Sequence, residues 1–402
     1  MQLKDMGLTF EDIKAYTEKY MIETYERFPF LAERAKDMYI YDQDRNAYLD
    51  FYGGIAVNSA GNCNEKVVQT AVQQMQEVMH VFNYPYSIPQ AVLAKLICET
   101  TGMDKIYYQS SGTEANEAMI KLARKYGTDN YGPNKYHIIT AKSSFHGRTY
   151  ASMTATGQPD SAIHKGFLPL VPGFTYAEFN NVDSFAEQVT EDTIAIMLEP
   201  IQGEGGVRVA TDAFLKGIAK LCHDKGLLLL IDEIQTGWYR TGYPMAYMHY
   251  GIKPDVVSMA KTLGGGLPLG AIIATSEVAK AFTPGSHGST YSGNPVVCAA
   301  GYAELNELID RKLGAHAAET GAYFMDKLRE LPHVKEVRGR GYLIGVELDI
   351  PKAVEVKRKA IERKLLTTAI GANIIRMVPP LIASRTDCDK ACAILKESIE
   401  AL

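Results

Sequence analysis

Gly226 is followed by Leu227-Leu228-Leu229-Leu230-Ile231 and then by Asp232-Glu233. Five consecutive apolar residues show no alternation of polar and apolar faces. They predict a strand covered on both sides, the kind found in the parallel sheet of an α/β protein. Asp232 then stands at the strand's carboxyl end. Ligands of open α/β sheets bind in the crevice outside those ends, where a carboxylate is suited to holding a cationic group. A second run, Asp255-Val256-Val257-Ser258-Met259-Ala260, brings Lys261 to a similar place. Gly264-Gly265-Gly266 follow, marking a sharp turn or a close approach of backbone to a neighbour. Taken singly, the acid and the lysine are equally compatible with a buried ion pair.

From about residue 66 to 300, helical segments alternate with short apolar runs, which predicts βαβ units and a mainly parallel sheet. Strands are expected at 105–108, 136–140, 194–198, 227–231, 255–258 and 271–274, and helices over 113–126 and 212–225. A chain of 402 residues has room for two domains. The expected organisation is an arm and part of a small domain over 1–60, a large domain over 61–300, and a smaller α/β domain over 301–402. The first ~50 residues are expected to join the smaller domain as a helical arm.

The net charge of -5 and the lack of a dense Lys/Arg block argue against nucleic acid or an anionic membrane as partner. The first six residues lack the apolar core of a signal peptide, and no run reaches the ~18 apolar residues that span a bilayer, so a soluble cytoplasmic protein is expected. The cysteines at 63, 98, 222, 298, 388 and 392 are too scattered for a disulfide framework. Cys388 and Cys392 lie a helical turn apart, but without a histidine beside them they make a poor zinc site, and no metal is expected.

Gln109-Ser110-Ser111-Gly112-Thr113-Glu114 follows a strand and opens a helix, so its hydroxyls and free amides can cradle a phosphate at the positive end of the helix dipole. The same spacing is also that of an ordinary capping box. Phe145-His146-Gly147-Arg148-Thr149 lies beyond another strand end. Phe145 offers a face to a planar ring and Arg148 a fork to a carboxylate, unless they are simply a core phenylalanine and a surface arginine. A lysine to form a Schiff base, a carboxylate to keep a pyridine nitrogen protonated and a phosphate cradle together match the needs of pyridoxal 5'-phosphate. His146 receives no role.

With these residues in place, the sequence resembles the class III, fold type I aminotransferases, and their acetylornithine and ornithine branch most closely. The resemblance covers nearly the whole chain. Besides the segments above it rests on Gly54-Ile55-Ala56-Val57-Asn58, Glu199-Pro200-Ile201-Gln202-Gly203-Glu204, Asp232-Glu233-Ile234-Gln235-Thr236-Gly237, His287-Gly288-Ser289-Thr290-Tyr291 with Gly293-Asn294-Pro295, and Ile375-Arg376-Met377-Val378-Pro379-Pro380. It implies a fold type I transferase, a large domain with a mainly parallel sheet beside a smaller α/β domain, working as a homodimer with shared sites. Lys261 would bond to the cofactor and shuttle the proton, Asp232 would meet the pyridine nitrogen, Gln235 the ring hydroxyl, and Phe145 the ring face. Ser111, Gly112 and Thr113 would bind the phosphate, with Thr290 reaching it from the other subunit. Arg148 would hold a substrate carboxylate. Glu204 would mask Arg376 for an amine donor and release it for 2-oxoglutarate. The activity implied is transfer of the δ-amino group of N-acetylornithine to 2-oxoglutarate in arginine biosynthesis. Ornithine, succinylornithine or 4-aminobutyrate as donor, an aminomutase or decarboxylase on the same cofactor, and a non-catalytic binding protein remain as alternatives.

Three positions depart from the family pattern. Asn62-Cys63-Asn64-Glu65 stands where the family commonly has His-x-His-Pro, and Trp238-Tyr239 where a small residue and glycine precede Arg-Thr-Gly. Both raise the question of the shape of the substrate entrance. Ile55 stands where ornithine δ-aminotransferases resemble one another in a tyrosine that meets the free α-amino group, which favours an acylated substrate.

Overall fold

The computed structural model describes residues 3–402. Among these, Lys105–Gln109, Gly270–Ala274, Val256–Met259, Leu228–Asp232, Thr193–Leu198, His137–Ala141 and Phe174–Ala177 form one seven-stranded sheet in that spatial order. The five strands from Val256–Met259 to Phe174–Ala177 run parallel, whereas Gly270–Ala274 is antiparallel to both of its neighbours. This is the mainly parallel α/β sheet expected. Phe174–Ala177 is an additional edge strand, hidden from sequence reading because four residues directly behind Pro169, Pro172 and Gly173 read as loop.

Every residue of Leu228–Asp232 is buried, and successive side chains serve opposite layers. Leu228 and Leu230 pack with Ala115, Met119 and Leu122 of the helix Gly112–Tyr131. Leu229 and Ile231 join Phe214, Leu215 and Ile218 of the helix Asp212–Lys225 on the other side. Thr211 caps that helix by accepting from Phe214 N at 3.2 Å. It stops at Gly226, whose φ of +63° reverses the chain into the strand.

The helical arm is confined to Leu3–Met6 and Phe10–Tyr20. The strands Ala32–Lys36, Tyr39–Asp42 and Ala47–Asp50 follow, and they form a sheet with Leu365–Leu366, so segments from both ends of the chain meet. The cause is local: Tyr39-Ile40-Tyr41 and Tyr48-Leu49 favour strands, and Asp42 Oδ1 closes the turn between them by accepting from Asp44 N at 3.0 Å and Asn46 N at 2.8 Å. A further sheet holds Val334–Arg340, Leu343–Leu348, Ile374–Met377 and Thr368–Ile370. Between the sheets stands a short hairpin, Ile201–Gln202 paired with Arg208–Val209.

Leu230→Ala would empty a fully buried site (0% exposed). It is expected to lower stability by ~2–5 kcal/mol in denaturant titrations of the apoprotein. A loss below ~1 kcal/mol would mean that the two-sided packing of this strand is loose.

Candidate active site

Three adjacent parallel strands bring the charged groups together. Glu199 directly follows Thr193–Leu198, Asp232 ends Leu228–Asp232, and Lys261 stands two residues beyond Val256–Met259. All three line a cavity of about 490 Å³ with Ser111, Gly112, Thr113, Phe145, His146, Arg148, Glu204 and Gln235.

Both oxygens of the buried Asp232 are engaged. Oδ1 accepts from Ile234 N at 3.0 Å, and Oδ2 accepts from Asn116 Nδ2 at 2.7 Å and lies 2.8 Å from His146 Nδ1. An ionised carboxylate only accepts, so His146 presents its N–H there. Asn116 is oriented in turn by Ser258 Oγ, which donates to its Oδ1 at 2.7 Å, and it also donates to His146 O at 2.6 Å. His146 Nε2 is buried without a partner. Neighbouring Glu199 has a single amide donor, Phe145 N at 3.0 Å. Burial first, and then the charge of Asp232, push its carboxyl well above the ordinary range, toward the neutral form.

Lys261 sits in the left-handed region, with φ +49°. Burial lowers its ammonium to about 8, the nearby Arg376 charge acting in the same direction and Glu204 against it. Arg376, on the strand Ile374–Met377, is almost fully buried and forms a short ion pair through Nη1 with Oε1 of the partly exposed Glu204. Gln235 spans the two, donating from Nε2 to Glu204 Oε1 at 3.2 Å and accepting from Arg376 Nη1 at 3.2 Å. Burial alone would raise the Glu204 carboxyl, but Arg376 and then Lys261 hold it below its ordinary value.

Opposite, Ser111 starts the helix Gly112–Tyr131. Ser111 Oγ caps Glu114 N at 3.3 Å and donates to Glu114 Oε2 at 3.1 Å, but Glu114 Oε2 takes Ser110 N at 3.0 Å and not the amide of Ser111, so the helix has a serine cap without the reciprocal capping box. Ala115 N is taken by Ser111 O, which leaves the first amides, those of Gly112 and Thr113, for a ligand. Thr113 Oγ1 is turned to the loop behind it, accepting from Arg148 N at 3.0 Å and Thr149 N at 3.1 Å. Arg148 is exposed, its guanidinium 5.6 Å from the Phe145 ring centre. Thr290 is exposed on a loop and does not line the cavity of its own protomer.

A family profile described as Aminotransferase class-III matches residues 20–399. The chain belongs to the class-III aminotransferases. It is 46% identical over 379 residues to the acetylornithine aminotransferase of Aquifex aeolicus, which covers 94% of this chain and 99% of that protein. To the acetylornithine aminotransferase of Caldanaerobacter subterraneus subsp. tengcongensis it is 43% identical over 391 residues, 96% and 99% of the two chains. Its fold matches the crystal structure of the ornithine aminotransferase from Toxoplasma gondii ME49 with a TM-score of 0.93 at 31% identity, covering 99% and 97%.

This aminotransferase is therefore a pyridoxal phosphate enzyme, and its cavity suits that group. The free helix-start amides could take an anion, Phe145 offers a ring face, and the fully hydrogen-bonded Asp232 lines the same cavity and could pair with a protonated ring nitrogen. A Cβ on Gly112 would press on Ile234 at 3.0 Å, so the residue at the cradle has to stay small.

Sequence reading missed His146 and Asn116, the two side chains that orient Asp232. His146 lay within a quoted motif, but no pattern links it to an acid 86 positions away. The departures have structural explanations. Asn62 Nδ2 donates to Asp50 Oδ2 and to Asp37 O, each at 3.0 Å, and Asn64 Oδ1 caps the helix Glu65–Glu77. Trp238 is 1% exposed within the core, and Tyr239 packs against Gly314. Neither Trp238 nor Tyr239 lines the cavity.

Only the neutral amine attacks an aldehyde, and lowering Lys261 from 10.5 to about 8 raises its neutral fraction at pH 7 roughly 300-fold. In the apoenzyme, capture of a small aldehyde by Lys261, fixed with borohydride and mapped by peptide analysis, is expected to rise with pH to a midpoint near 8. A midpoint at the ordinary lysine value would contradict a buried amine.

Proposed function

We propose that this aminotransferase moves the δ-amino group of N-acetylornithine to 2-oxoglutarate. The observation that carries the reading is the Glu204–Arg376 pair at the cavity, a buried cation covered by a partly exposed acid. An acylated amino acid and 2-oxoglutarate share one carboxylate but differ at the far end, so a pocket serving both needs a positive charge that can be covered or bared. Arg148 suits the shared carboxylate, and Arg376, once Glu204 turns away, the second one. The relatives named for acetylornithine are 43% and 46% identical. Ile55 offers no hydroxyl to a free α-amino group, which separates this reading from the ornithine activity that the Toxoplasma likeness brings forward.

Pyridoxal phosphate supplies the electron sink that makes the bond to hydrogen at the donor's amine-bearing carbon breakable. Lys261 Nζ carries that proton. Asp232, held by Asn116 and His146, would keep the ring nitrogen protonated, Phe145 would cover the ring, and Gln235 would reach its hydroxyl. Ser111, Gly112 and Thr113 would hold the phosphate, with Thr290 reaching it from the other subunit of a homodimer. A homodimer is supported by the exposed apolar side chains Val68, Val72, Met75 and Met79, spaced at helical intervals, and by Phe82, Tyr84, Tyr86 and Ile88 beyond them. Six free cysteines suit work in the reducing cytoplasm.

A panel of N-acetylornithine, ornithine, succinylornithine and 4-aminobutyrate against 2-oxoglutarate, read as glutamate formed, should give N-acetylornithine the highest kcat/KM. Preference for free ornithine would replace the donor and leave the transferase intact. Arg376→Ala should weaken 2-oxoglutarate by about 10- to 100-fold, matching the ~1.5–3 kcal/mol of a charge-assisted hydrogen bond, and change the amine donor far less. Glu204→Ala should instead let glutamate compete as a donor. Equal losses in both half-reactions for both variants would reduce the pair to a structural one.

A further inference from the structure

The hairpin that carries Glu204 is fastened at a second point. In the sheet holding Arg376, Arg338 pairs with Gly345, and Gly345 pairs with Arg376, all antiparallel. Residues directly opposite one another in such pairs project from the same face. Arg338 and Arg376 therefore stand on one face with a bare glycine between them. Val207, at the hairpin tip, fills the gap: it is 0% exposed, and a Cβ on Gly345 would lie 2.8 Å from its own. The tip from Gly203 to Val207 thus lies across this face, bracketed by two arginines. Arg376 holds the side chain of Glu204 at one end. At the other, Arg338 donates from Nε at 3.0 Å and from Nη2 at 2.8 Å to Gly206 O, a backbone acceptor two residues from Glu204.

Arg338 is itself oriented. Its Nη1 donates to Glu347 Oε2 at 2.7 Å and to Glu336 Oε2 at 2.8 Å, and Lys335 donates to the other oxygen of Glu347 at 2.8 Å. The side chains of Arg338 and Glu347 are only 15% and 16% exposed, so this contact is less screened than the surface pairs of the chain. The backbone it grips has little freedom left. Gly206 has φ +99° and Val207 φ +55°, and Gly205 runs so close to Ser143 O that a Cβ would come within 2.5 Å.

We propose that Arg338 is a positioning residue for the alternation between amine donor and 2-oxoglutarate. By pinning the backbone at Gly206 it confines the movement of Glu204 to its side chain, so that Glu204 returns to Arg376 in register after each half-reaction. The proposal rests on the masking role of Glu204 and adds the anchor that this role requires. Without Arg338 the tip shifts as a unit, Glu204 covers Arg376 poorly, and glutamate gains as an amino donor over the ω-amine.

The test measures single-turnover kcat/KM for glutamate and for N-acetylornithine in four holoenzymes: wild type, Arg338→Met, Glu204→Ala and the double variant. Arg338→Met should raise the ratio of glutamate to N-acetylornithine about fivefold, and should add nothing in the Glu204→Ala background. Glu347→Gln, which loosens Arg338 without removing it, should give a smaller shift of the same sign and serves where Arg338→Met folds poorly by thermal midpoint. An unchanged ratio in Arg338→Met, with Glu204→Ala still shifting it, overturns the anchor and spares the masking. An equal shift with and without Glu204 also overturns it, because Arg338 would then act by another route. A Glu204→Ala ratio equal to that of wild type overturns the masking reading itself.

Discussion

The site is built around one buried carboxylate, that of Asp232, and the donors that surround it. An isolated buried carboxylate neutralises unless hydrogen bonds and opposite charge compensate its lost hydration. Asp232 has three donors drawn from three parts of the chain: its own turn at Ile234, Asn116 from the second turn of the long helix, and His146 from the loop after His137–Ala141, two strands away in the sheet. Glu199, one strand away with a single amide donor, is pushed toward its neutral form. Two adjacent acids thus sit in different surroundings, Asp232 with three hydrogen-bond donors and Glu199 with one.

The parallel sheet makes that arrangement economical in structure. Adjacent strands ending at one edge bring residues 199, 232 and 261 together with no loop needing to fold over the site. Both faces of the sheet are covered by helices, so the strand ends are rigid and water is excluded beneath them. The same burial that threatens Asp232 helps Lys261, whose reactive form is neutral.

The Glu204–Arg376 pair, proposed to govern substrate choice, belongs to a different part of the molecule. Arg376 comes from the second sheet and Glu204 from a hairpin lying across it, so their meeting depends on how the two sheets are docked. Gln235 ties the pair back to the Asp232 strand, donating to one and accepting from the other. The Asp232 strand end and the Glu204–Arg376 pair are thereby linked through one amide side chain.

Much of this was legible in the sequence. The apolar runs predict the central strands because a strand buried on both faces has no polar alternation to lose, and the helix over 212–225 is bounded by its own Thr cap and glycine stop. Lys261, Asp232, Phe145 and the helix-start cradle are readable because each stands at the end of a regular element, where local pattern fixes position. The edge strand behind Pro172 and the N-terminal strands were not, since short or turn-bounded segments are decided by what they pair with. Nor were the partners of Asp232, the bridging place of Gln235 or the burial of Trp238. These depend on contacts between residues far apart in the chain, and local periodicity carries no information about which distant side chain fills a given space. The sequence by itself determined which groups stand at the strand ends. Only the tertiary structure decided which donors surround each charge, because hydrogen bonds in a buried site are set by three-dimensional packing, not by spacing along the chain.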